Sequence, residues 1–214
     1  MLALAAIVAT ACAAIVPAAG QPSARAVKIV ALGDSLVAGL GLPAEATFTA
    51  RLEQALRAKG IAVDIANAGV SGDTSTDGLA RLDWSIPDDT DAVIVELGAN
   101  DALRGIDPAR TRGALEGIVR RLAERRITVL LAGMRAPPNM GADFAGAFDA
   151  IFPDLAARFD LLYYPFFLDG VAAERDLNQR DGMHPNAAGI EVIVKRLLPK
   201  AEELVARARQ EHGF

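Results

Sequence analysis

Apolar residues recur along this chain in two alternating rhythms. Short β-branched runs alternate with longer stretches of three-to-four spacing, which predicts strands and helices in turn. The run VKIVALG from Val27 ends at Gly33-Asp34-Ser35 and passes into a helix-compatible segment, so it reads as strand, tight turn, helix. Phe48, Leu52, Ala55 and Leu56 keep helical spacing, and Gly60 supplies a stop. From Ile61 the sequence IAVDIAN alternates as a second strand, followed by a small polar loop over 67–77 and a short helix around 78–82. AVIVELG from Ala92 is the third strand. Asp107-Pro108 then combines an N-cap with a first-turn proline and opens a helix running toward Arg126. Residues 128–132 form a fourth strand, 133–141 a Gly/Pro-rich loop, 144–159 a helix and 161–163 a short fifth strand. A last helix, over about 185–208, carries Ile190, Ile193, Val194, Leu197 and Leu198 on one face.

Strands alternating with helices of this length imply βαβ units, right-handed crossovers and a mostly parallel five-stranded sheet covered on both faces, an α/β fold. Every loop that follows a strand opens at the same edge of such a sheet. The turns at Ser35, Gly72, Asn100 and 134–138 therefore converge, and chemistry is expected there.

Composition narrows the reading. With 214 residues, 52% hydrophobic and 23% charged, the chain fits one domain with a full core, assigned to 27–214. Lys plus Arg number 22 against 27 Asp plus Glu, and no basic face carries interleaved aromatics, so no nucleic-acid partner is expected. One cysteine, Cys12, allows neither an intrachain disulfide nor a zinc cluster. Residues 2–19 are almost continuously apolar and 20–26 small and polar, which resembles a secretory signal peptide over 1–26. Ala24-Arg25-Ala26 gives a cleavage pattern before Val27, and Ala18-Ala19-Gly20 a second one. The start lacks the usual basic residue, so retention as an anchor is the alternative.

Ser35, at the carboxyl end of a buried strand, is the candidate nucleophile. Histidine arithmetic selects its base, because the chain has only His184 and His212, and the latter reads as an exposed tail residue. His184 follows Asp181 by three positions across Gly182, so the carboxylate can hold the imidazole with its other nitrogen toward a serine. A surface histidine capping a helix is the rival reading. Gly72 lets its backbone N–H approach a ligand, and the Asn100 side chain is a fixed donor, although either residue alone is equally at home in a plain turn. Asp34, Asp73 and Asp101 are expected to lock their loops by bonding backbone rather than to react. Met134, Pro137 and Pro138 are candidates for lining an acyl groove. Trp84, Tyr163, Tyr164, Phe166 and Phe167 are read as core or rim packing.

Taken together, Ser35 in GDS, Gly72 in SGDTS, Asn100 in GAND and Asp181 with His184 in DGMHP resemble, in order, the four signature blocks of the SGNH hydrolases, the GDSL esterase and lipase family. SGDTSTDGLARL, LGANDALRG and DGMHPN are similar to its bacterial periplasmic thioesterase I, lysophospholipase and arylesterase branch. The resemblance implies a three-layer, flavodoxin-like α/β/α sandwich and export to the periplasm, without stable membrane insertion after processing. It also implies acyl transfer with Ser35 as nucleophile, His184 as base and Asp181 as orienter, and with Ser35, Gly72 and Asn100 as oxyanion hole. Neither metal nor organic cofactor is required, and the substrate is a small acyl ester or thioester. Alternatives are a carbohydrate O-deacetylase on the same site, a metal-dependent phosphoesterase built on Asp34, Asn100, Asp101 and His184, and a non-catalytic lipid- or glycan-binding protein.

Overall fold

The computed structural model describes residues 25–214, so the signal-peptide expectation for 1–26 falls almost wholly outside the described residues. Five parallel strands form one sheet: β1 (Val27–Gly33), β2 (Val63–Gly69), β3 (Ala92–Glu96), β4 (Thr128–Ala132) and β5 (Leu162–Tyr164). Their order is β2-β1-β3-β4-β5, the flavodoxin-like arrangement. The central β3 and β4 are buried at every position, whereas β2 at one edge alternates with exposed residues. That is why AVIVE and TVLLA read as unbroken apolar runs and VDIANAG does not.

The helices are α1 (Ser35–Ala38), α2 (Phe48–Ala58), α3 (Ser75–Ala80), α4 (Leu82–Ser85), α5 (Ala99–Leu103), α6 (Pro108–Glu124), α7 (Ala142–Asp149), α8 (Ile151–Phe159) and α9 (Ala187–His212). Helices α2 and α9 pack together on one face of the sheet, while α3, α6 and α8 form the other layer. Along α9, Ile190, Ile193, Val194, Leu197, Ala201, Leu204, Val205 and Ala208 make one buried stripe. Each large aliphatic side chain removed from water in such a stripe contributes roughly 1.5–3 kcal/mol.

Several boundaries depart from the sequence expectation, each for a local reason. The helix expected at 78–82 begins at Ser75, where Thr74 and Asp77 form a reciprocal capping box. Strand β2 runs through Gly69, which shortens the loop expected over 67–77. The single helix expected over 144–159 breaks at Ala150. Pro153 is the cause: it has no N–H for the Asp149 carbonyl, so α7 ends there. The five-residue α5 has no counterpart in the sequence expectation, because ANDAL is little more than one turn long and mixes apolar with polar residues, too short to show a helical period. Trp84 is 75% exposed, not packed in core or rim, because α4 turns it outward while Leu82 takes the buried position.

The sheet order places a topological switch at β1 and β3: β1 is followed by the edge strand β2, and the chain then crosses back to lay β3 on the other side of β1. The loops leaving the carboxyl ends of β1 and β3 therefore separate, and a crevice opens between them. Close approach at this edge depends on Gly69, where any Cβ would overlap the backbone nitrogen of Ala38. A side chain there would push α1, and Ser35 with it, off the end of β1.

Candidate active site

Ser35 is the first residue of α1 and is nearly buried, 9% exposed. Asp34 caps this short helix, its Oδ1 accepting from the Leu36 N–H at 2.9 Å. The Ser35 Oγ lies 2.9 Å from His184 Nε2, although 149 positions separate them. His184 Nδ1 lies 2.7 Å from Asp181 Oδ2. The other Asp181 oxygen accepts from the Met183 and His184 N–H groups at 2.9 and 3.0 Å.

The backbone N–H groups of His184 and Met183, with the imidazole, lower the Asp181 carboxyl to about 2. It is therefore an anion at neutral pH and accepts the Nδ1 proton. The tautomer that satisfies both contacts leaves the Nε2 lone pair facing the Ser35 hydroxyl, so the hydroxyl can lose its proton to that nitrogen as it attacks.

Gly72 adopts φ +90°, a conformation that disfavours a side chain, and its carbonyl is gripped by Arg104 Nη2 at 2.8 Å. Among the described residues, neither the Ser35 nor the Gly72 N–H is taken up in a turn or loop hydrogen bond. Asn100, expected as a fixed donor, has its amide already engaged. Its Nδ2 donates to Asp34 Oδ2 and to the Asp73 carbonyl, both at 3.0 Å. The amide is thus aimed from two sides, and an oxyanion bound there would have to draw one proton away. The neutral Asp73 carbonyl is the weaker competitor, because hydrogen bonds to charged acceptors are the stronger ones.

Burial pushes the Asp34 carboxyl up to about 6, against the lowering effect of the Leu36 N–H, His184 and the Asn100 amide. Beyond it, at the end of β3, Glu96 is fully buried, and among the described residues neither carboxyl oxygen has a hydrogen-bond partner. Desolvation, reinforced by the like charge of Asp34, raises it well above the ordinary carboxylate range, and the neighbouring Asp34 N–H offsets only part of this. Glu96 is held as a neutral acid, since an unpaired buried carboxylate is far costlier. The one sequence signal for this group is a lone Glu closing the apolar run AVIVE. Asp101 is turned away from the reacting groups, accepting from Ser75 N and Oγ and from Thr111 Oγ1. Asp73 bonds the Arg81 side chain rather than backbone. Asp34, Asn100, Asp101 and His184 consequently do not face a common point as metal ligands would. Among the described residues no group of three His, Cys, Asp or Glu could hold an ion.

The site opens into a groove of about 580 Å³, walled by Leu103, Met134, Pro137, Phe166, Leu168 and Met183, with Ser35, Asn100 and His184 at one end. Met134 and Pro137 therefore stand where the sequence placed them, on the loop after β4. Gly72 does not line the groove, and Asp181 stands behind His184. His212 sits at the end of α9 with Nε2 3.1 Å from the Asp91 carbonyl, remote from the crevice.

The chain is similar to known proteins over most of its length. Residues 31–192 match the model of the GDSL-like Lipase/Acylhydrolase family. The chain is 35% identical over 195 residues to Esterase TesA of Pseudomonas aeruginosa, covering 91% of this chain and 96% of that one. It is 37% identical over 184 residues to the Thioesterase 1/protease 1/lysophospholipase L1 of Escherichia coli K12, covering 86% and 87%. The crystal structure of AlinE4, an SGNH-hydrolase family esterase, is 47% identical and superposes with a TM-score of 0.71 over 84% of this chain and 96% of that one. The chain belongs to the GDSL-like lipase and acylhydrolase family, the SGNH hydrolases, and is a serine hydrolase of ester bonds.

Proposed function

We propose that this enzyme hydrolyses aryl esters, acyl thioesters such as acyl-CoA, and lysophospholipids through an acyl-enzyme on Ser35. The observation that carries the reading is the Ser35, His184 and Asp181 relay opening onto an apolar groove. The Ser35 oxygen bonds to the carbonyl carbon as its proton passes to His184 Nε2. The tetrahedral oxyanion is held by the Ser35 and Gly72 N–H groups and the Asn100 amide. As it collapses, the bond to the leaving alcohol or thiol breaks and the imidazolium returns its proton to that group. Water repeats the sequence on the acyl-enzyme, which frees the acid and restores Ser35.

An apolar wall favours acyl chains over acetylated sugars, so the O-deacetylase alternative ranks second. A substrate panel decides between them: p-nitrophenyl acetate against octanoate, acyl-CoA, lysophospholipid and acetylated sugars. Faster turnover of the longer acyl esters is expected, and exclusive turnover of acetylated sugars would overturn the reading. A covalent fluorophosphonate adduct on Ser35 separates either enzyme from a non-catalytic binding protein.

Asn100→Ala is expected to lower kcat on the order of 100-fold with little change in KM, because one oxyanion donor is lost. Asp34 also loses a partner, so the variant should melt a few degrees lower while remaining folded. Wild-type kcat would remove Asn100 from the site.

No helix among the described residues is long and apolar enough to cross a membrane. Export to the periplasm is proposed, with cleavage after 18–20 rather than before Val27. Arg25 supports the earlier site: it makes two bonds to Asp91, which is 4% exposed, and lies over the Phe214 ring, contacts that later cleavage would remove. Intact-mass measurement of the periplasmic protein checks this. A mature chain that starts at Val27 would refute it.

A further inference from the structure

Arg81, between α3 and α4, is 7% exposed, and among the described residues its side chain makes no hydrogen bond to Ser35, Asn100 or His184. Its guanidinium spreads over three acceptors. Nη2 donates to the Gly33 carbonyl at 2.9 Å, Nε to Asp73 Oδ2 at 2.5 Å, and Nη1 to Ser85 Oγ at 3.1 Å. The first two carry unusual weight. Gly33 immediately precedes Asp34 and Ser35, and its carbonyl also accepts the Val70 N–H at 3.0 Å. Asp73 immediately follows Gly72. One buried cation thus ties the turn after β1, which carries the nucleophile, to the turn after β2, which carries an oxyanion donor.

The tie extends to the third donor. The two acceptors that aim the Asn100 amide are the Asp34 carboxylate and the Asp73 carbonyl. Each belongs to one of the two turns that Arg81 holds. We propose that Arg81 is a positioning residue for the oxyanion site, fixing the spacing of Ser35, Gly72 and Asn100 by clamping Gly33 to Asp73. This rests on the ester hydrolase reading above. A planar fork is needed, since donors leave in three fixed directions, and a lysine ammonium on a flexible stem cannot reproduce it. The Ser85 arm points instead to the end of α4, which carries no reacting group, and so provides an internal control.

The test measures kcat and KM on a p-nitrophenyl acyl ester, normalised to Ser35 sites titrated with a fluorophosphonate, alongside the melting temperature. For Arg81→Lys, kcat per titrated site should fall on the order of 30-fold with KM within about 3-fold, since small misplacements at a reacting centre cost up to about 100-fold. Ser85→Ala should lower the melting temperature yet keep kcat within about 2-fold, because only a stabilising contact is lost. If Arg81→Lys does not fold, Asp73→Asn decides, with an expected loss on the order of 10-fold in kcat as the charged partner of the clamp disappears.

Arg81→Lys, or Asp73→Asn in its place, with wild-type kcat per site would overturn the assignment. So would a loss in Ser85→Ala equal to that in Arg81→Lys, which would trace both to stability. If the wild type hydrolyses esters and Ser35→Ala does not, such a result condemns Arg81 alone. Hydrolysis by wild type that survives Ser35→Ala would sink the parent reading and this inference together.

Discussion

Ser35→Ala is expected to lower kcat by on the order of 10⁴-fold or more while leaving a folded protein with near-native stability, because removing a triad nucleophile forfeits the whole covalent route. Among the described residues the hydroxyl's contact with His184 is its one side-chain hydrogen bond, so little else changes when it goes. The residual rate should not form a fluorophosphonate adduct at position 35. Retention of even a tenth of wild-type turnover in a preparation free of contaminating esterase would place the nucleophile elsewhere.

Asp181→Asn is expected to cost on the order of 10³-fold in kcat with KM nearly unchanged, by imposing the wrong imidazole tautomer. An asparagine oxygen can still accept the Met183 and His184 N–H groups, so the turn persists. Its NH₂ group then faces His184 Nδ1, which must present a lone pair and move its proton to Nε2. A protonated Nε2 cannot take the Ser35 proton. The Asp181 side chain is 40% exposed, and water competing for Nδ1 should soften the penalty below that of a fully buried orienter. Because backbone donors hold the Asp181 carboxyl at about 2, below the ordinary value of about 3.9, its ionisation persists across the neutral range. Its contribution to stability is present above the ordinary value and is lost only as pH falls through about 2. The gap between variant and wild type should therefore not close on mild acidification. The low-field ring N–H resonance of His184 should disappear in the variant, and its survival with wild-type kcat would show that Asp181 does not set the tautomer.

Much of the site was legible before any coordinates. Gly33 to Ser35, Gly72 and Asn100 announce themselves as turns at the ends of apolar runs, and Asp181 and His184 meet across a turn of only three residues. Local chemistry suffices for each. Arg81 was unreadable for the opposite reason: an arginine near the end of a short helix looks like any solvated charge, and only burial between two turns gives it meaning. The break at Pro153 is local and written in the sequence, whereas the outward aim of Trp84 depends on which face of α4 is covered.

By itself the sequence determined the alternation of strands and helices and the residue types gathered at one sheet edge, since periodicity and turn chemistry act within a few residues. Only the tertiary structure decided that Ser35 and His184 touch, that Asn100 is aimed by Asp34 and Asp73, and that Arg81 clamps both turns. Those contacts depend on strand order, because β3 must lie beside β1 before the loops leaving them can face one another, and chain spacing carries no record of which strand lies beside which.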